Sequence, residues 1–115
     1  MKKYVKILKQ DNIICESCEM ANTHFTRFMG LMFRKGLEEN CGLILDPCNQ
    51  IHTFHMRFPI DVVTIDKDNI ILDIFEAVEP WKVKPVVKNG KKVIELDAFV
   101  AKEKGLKIGD KLTII

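Results

Sequence analysis

What the chain lacks narrows its class first. No run approaches the roughly 20 apolar residues of a membrane-spanning helix, because lysines, acids and turn residues interrupt every apolar stretch. The opening Met1-Lys2-Lys3-Tyr4-Val5-Lys6-Ile7-Leu8-Lys9 begins with the cations of an export signal. Lys6 and Lys9 then break the apolar segment such a signal needs. A cytoplasmic location is therefore expected, with the four cysteines as thiols or ligands rather than disulfides. A dominant charge is missing as well: 18 cations face 16 acids, well mixed, for a net +2. That is too little for an electrostatic footprint, so no specific nucleic-acid partner is expected. Repeats, linkers and low-complexity segments are absent, and 115 residues support one domain with one core.

What is present is mostly β-patterned. Residues 2–9 read as a strand, Asp11-Asn12 as a turn, and Ile13-Ile14-Cys15 as the returning partner. Phe25, Phe28, Met29 and Met32 then fall at i, i+3, i+4 and i+7, the stripe of an amphipathic helix. Asn22 or Thr23 caps its start and Gly36 ends it just beyond Arg34-Lys35. The stripe is expected in the core, and Gly30, inside the helix, where another backbone passes close. Cys41-Gly42-Leu43-Ile44-Leu45 is a short strand closed by Asp46-Pro47. Residues 51–57 alternate, placing His52, Phe54 and Met56 on one face and Thr53, His55 and Arg57 on the other. Residues 60–66 are apolar on both faces, as in an interior strand, and Asp66-Lys67-Asp68-Asn69 turns into a return strand from Ile70 to Glu76. The only tryptophan, Trp81, sits in a loop expected to fold onto the core. Asn89-Gly90 between Val86-Val87-Lys88 and Lys91-Lys92-Val93 reads as a type I′ hairpin. Asp97 caps a helix from Ala98 to Lys104 ended by Gly105, and Lys111 to Ile115 forms the last strand. The sum is an α+β domain, predominantly β: a small, mostly antiparallel barrel- or sandwich-like sheet with two short helices.

Several segments in order carry a family resemblance. They are Thr26-Arg27-Phe28-Met29-Gly30-Leu31-Met32-Phe33-Arg34, Gly42-Leu43-Ile44-Leu45, Pro47-Cys48 through Asp66, Pro80-Trp81, Val93-Ile94-Glu95-Leu96, and Gly105-Leu106-Lys107-Ile108-Gly109-Asp110. From about residue 20 onward the chain resembles the domain of unknown function 192 family. The resemblance implies a small, compact, mostly β domain and brings no settled activity. Two departures stand out. Leu96-Asp97-Ala98-Phe99 replaces the family's usual Leu-Pro-x-Gly, and the export or lipid-anchor signal of many relatives is not seen.

Three kinds of site have the residue types they need. Cys15 and Cys18 form a C-x-x-C, half of a zinc site or a dithiol pair, while Cys48 and His52, with Met56, suit a soft metal. A metal ion is thus possible, although no cofactor is required. Cys48, His52 and Asp61 supply a thiol nucleophile, base and orienting acid, against which Cys48 lacks an activating context. Asp61, inside an apolar run, must be paired if buried. The partners expected for it are Arg27, Arg34 or Arg57, whose guanidinium forks lysine cannot replace, or backbone amides near the Gly30 helix. These readings favour a small non-catalytic binding or accessory domain for an unknown small ligand or protein. Its shallow site would lie between the residue 23–34 helix and the 51–61 strands and draw on Arg27, Arg34, His52, Met56, Arg57 and Asp61. A metalloprotein and a Cys48/His52 enzyme are the alternatives.

Overall fold

Alternating side chains at the N-terminus build the first antiparallel pair. The computed structural model, which describes residues 2–115, places β1 at Tyr4–Lys9 and β2 at Asn12–Ala21. β2 runs on through residues 15–21, where no period is visible in the sequence. The pairs Val5↔Cys18, Ile7↔Cys15 and Leu8↔Ile13 leave extra residues on β2. Such bulges defeat the two-residue period, and here they turn both Cys15 and Cys18 inward.

The first helix is shorter than its stripe. α1 spans His24–Met29, with Thr23 and Thr26 forming a reciprocal capping box. It stops at Gly30, whose φ of 47° and ψ of −126° suit glycine alone. A side chain would find space there, since the nearest atom to its Cβ is Glu95 Oε1 at 3.7 Å. The backbone angle, and not a close approach, explains this glycine. Close approach occurs at Gly42, where a Cβ would lie 2.8 Å from the Glu95 carbonyl oxygen. The expected core stripe is also overturned: Phe25 and Phe28 are 70% and 64% exposed, and Leu31 is buried in their place. Once Gly30 turns the chain, the 3.6-residue register beyond it no longer applies.

The remaining elements are β3 (Cys41–Leu45), β4 (Ile60–Ile65), β5 (Ile71–Val78), β6 (Lys92–Asp97), α2 (Val100–Glu103) and β7 (Thr113–Ile114). One seven-stranded sheet runs β5-β4-β6-β3-β2-β1-β7. It is antiparallel except where β2 meets β3. The sheet curls into a half-barrel, and backbone bonds from residues 109 and 112 to Ile71 and Asn69 carry the segment before β7 across to β5. The β4–β5 hairpin matches its sequence reading, with Asp66 Oδ1 accepting from the Asp68 and Ile70 amides.

Alternation along the central strands builds two apolar layers. Ile44, Val63, Ile65, Ile94 and Leu96 face one core with Ala101 of α2. Leu43, Leu45, Ile60, Val62 and Val93 face a second with Leu31, Ile51 and Met56.

Three further expectations are corrected. Residues 51–57 are not a strand: only His52 makes a bridge, to Val83, and the chain turns at Thr53–Met56. The Asn89-Gly90 hairpin does not form, because β6 is flanked by β3 and β4. Residues 84 and 87 bond instead to Ile51 and Asn49. Asp97 does not cap α2, whose N-cap is Phe99 without a side-chain bond.

Candidate functional site

The segments freed from the sheet converge beside α1. Thr53, fully buried, fastens two of them. Its hydroxyl donates to the Glu79 carbonyl at 2.6 Å and accepts from the Lys82 amide at 2.8 Å, while its carbonyl accepts from the Trp81 amide at 2.9 Å. The third is tied by the Phe33 amide, which donates to the His55 carbonyl at 2.9 Å. These bonds hold six rings in a continuous strip. Phe28 meets His52 at 6.3 Å between centroids, His52 stacks on Phe54 at 5.0 Å, and Phe54 lies 5.9 Å from Trp81. Trp81 meets His55 edge-on at 4.7 Å, and His55 lies 5.1 Å from Phe33. Trp81, expected against the core, is 60% exposed. Phe33, His55 and Trp81 all have φ between 61° and 66°, a region costly for bulky side chains.

At the Phe28–His52 end of the strip is a cavity of about 30 Å³ lined by Arg27, Phe28, Gly30, His52, Met56 and Glu95, among others. That is room for one or two waters. Glu95 forms its floor, 4% exposed, and its Oε1 has no hydrogen-bond partner among the described residues. Burial pushes its carboxyl up to about 8, opposed only in part by Arg34. The acid is therefore mostly neutral at neutral pH.

The sequence reading missed Glu95 as a site residue. Its signal was an acid within the apolar run Val93-Ile94-Glu95-Leu96, the same signal that drew attention to Asp61.

The candidates do not all meet. Arg27, His52 and Met56 share the cavity. Arg27 donates to the Pro47 and Thr23 carbonyls, Arg34 pairs with Glu19 at 3.1 Å, and Arg57 is exposed. Asp61 lies on the opposite face of the sheet. It is clamped by backbone amides as one reading held, but from Ala77 at 2.8 Å and Ala101 at 2.9 Å rather than near Gly30. It therefore does not orient His52, whose Nδ1 accepts from the Phe54 amide. Cys48 donates to the Gln50 carbonyl, and burial raises its thiol. Cys15 and Cys18 sit in the other core: their hydrogen bond lowers Cys15 and, with burial, raises Cys18. Among the described residues, no three His, Cys, Asp or Glu side chains are arranged to hold a metal ion. No helix among the described residues is long and apolar enough to cross a membrane.

Fold and strip together define a small, β-dominated domain with an open aromatic face over a water-sized cavity. The chain belongs to the DUF192 family, described as "Uncharacterized ACR", whose model matches residues 6–114. Two solved structures share the fold. One, a protein of unknown function from Novosphingobium aromaticivorans DSM 12444, has a TM-score of 0.84 at 23% identity, over 97% of this chain and 84% of its own. The other, from Sinorhizobium meliloti 1021 and described as a proposed transcription regulator, has a TM-score of 0.81 at 23% identity, over 99% and 94%. No curated protein matches significantly.

Proposed function

We propose that this chain is a non-catalytic binding domain, with the aromatic strip as its contact face and the Glu95 cavity receiving one small polar group of the ligand. The strip carries the reading. Contiguous exposed apolar surface marks interaction sites, and here backbone strain and buried hydrogen bonds hold large rings outward. Arg27, His52 and Met56 belong to the contact face through the cavity, Arg57 would join it as the exposed cation next to Met56, and Arg34 is held away by its pair with Glu19. Asp61 is left to the fold.

Trp81 is the only tryptophan, so its emission tests the reading. Titration with a panel of aromatic, sugar, amine and short-peptide fragments is expected to give at least one saturable shift. Phe54→Ala should weaken that binding about tenfold, as removal of an interface anchor does. A panel that leaves Trp81 unmoved would sink the proposal.

A second reading has one observation in its favour: a perturbed buried acid and a histidine share one cavity, a pattern of acid–base sites. The thiol version has less support, since Cys48 is raised and hydrogen-bonded. Mild alkylation followed by mass spectrometry should leave Cys48 unmodified; rapid labelling would revive it.

A further inference from the structure

The net charge of +2 conceals an uneven distribution. The three segments that carry the strip, residues 24–35, 48–58 and 79–86, hold Arg27, Arg34, Lys35, Arg57, Lys82 and Lys84 against a single acid, Glu79. They contain six of the 18 cations and one of the 16 acids, so the rest of the chain has more acids than cations. All three histidines lie in these segments too. In the fold Arg34 is paired with Glu19 and Lys84 lies over the Phe75 ring, while Arg57, three residues after Phe54, and Lys82, next to Trp81, are exposed cations in the segments that carry the rings. Rings and cations on the same segments complement a ligand that alternates planar faces with negative charges. The size of the cavity argues against a free small molecule: about 30 Å³ is far below the roughly 300 Å³ or more of sites that enclose one.

We infer that the strip binds single-stranded nucleic acid without sequence preference, bases stacking on Phe28, Phe54 and Trp81 and phosphates meeting Arg57 and Lys82. This rests on the binding-face reading above and adds the ligand class. The rings supply stacking that any base satisfies. The cations supply the counterion-release term that makes such binding salt-dependent. A duplex hides its base faces and would forgo the stacking.

The test is titration of the full chain with a ten-nucleotide oligothymidylate, followed by Trp81 emission at about 50 and 200 mM salt. Heparin, thymidine monophosphate and a duplex of equal length serve as comparisons. The oligonucleotide should quench Trp81 saturably, with affinity falling linearly in log salt, while heparin binds without quenching and the monophosphate and duplex bind at least tenfold more weakly. Phe54→Ala and the pair Arg57→Glu with Lys82→Glu should each lower affinity about tenfold. The charge pair should leave the thermal midpoint unchanged because Arg57 and Lys82 are exposed, and Phe54→Ala, whose ring is 38% exposed, is compared at a temperature where its melt shows it folded. Quenching by heparin or equal binding of the duplex would overturn the inference, as would tight binding of the monophosphate. If the oligonucleotide leaves Trp81 unmoved while a fragment still shifts it, the nucleic-acid inference fails and the binding face stands. If neither moves it, both fall.

Discussion

Asp61 on β4 and Glu95 on β6 lie on neighbouring strands and opposite faces, and they meet opposite fates. In the ladder Asp61 pairs with Leu96, and Glu95 with Val62. Asp61 faces the α2 layer, where two backbone amides satisfy its carboxylate. Glu95 faces the α1 layer, where its Oε1 finds no partner among the described residues and the group retains its proton near neutral pH. One acid is part of the fold. The other floors the water-sized cavity at the Phe28–His52 end of the strip.

Four measurements break or sharpen this contrast. The largest effect is expected at the satisfied acid. Asp61→Ala orphans two amides that each donate to a charged group, and should cost about 3–6 kcal/mol in urea unfolding; a loss below about 1 kcal/mol would remove Asp61 from the scaffold. Next is pH. The folded chain holds the Glu95 proton up to about 8 while its ordinary value is 4.5. The Glu95 contribution to stability is therefore fully present below pH 4.5 and falls above it, as the unfolded state alone releases the proton. The slope reaches about 1.4 kcal/mol per pH unit, or roughly 3 kcal/mol between pH 5.5 and 7.5. Glu95→Gln should flatten that slope, and an unchanged slope would mean the carboxyl is not buried as described. Gly30→Ala, forced into a glycine-only angle, should lose about 1–3 kcal/mol and give the same result in thermal melts at any salt. Phe28→Ala should change stability by no more than about 0.5 kcal/mol, although its ring borders the cavity; a larger loss would return it to the core.

The sheet was more legible than the face it carries. The β1 and β4–β5 strands, the Asp66 turn and the Thr23 cap follow from local chemistry, and each appears, whereas residues 51–57 alternate as cleanly and form no strand because Thr53 ties them to residues 79–82 instead. Residues 15–21 were illegible because bulges erase the period. The Phe25/Phe28 stripe was misjudged because a helical period identifies an apolar face without saying what covers it. The Asn89-Gly90 turn lost its hairpin because tertiary pairing on both sides of β6 outweighs local turn preference. Glu95 went unflagged although it carries the same signal as Asp61. Net charge conceals the basic segments for a different reason: a total averages over segments that only the folded chain brings together.

The Thr53 hydroxyl has a consequence for motion. It joins residues 51–56 to 79–84 through bonds that do not involve the sheet ladder, so the two loops should open and close as one cooperative unit. Amide exchange at Trp81 and Lys82 would then proceed at a common rate, slower than at exposed turns and faster than along β4. Thr53→Val would remove the hydroxyl's bonds to Glu79 and Lys82, leave the backbone bonds between the loops in place, and so speed that exchange while the half-barrel stays folded.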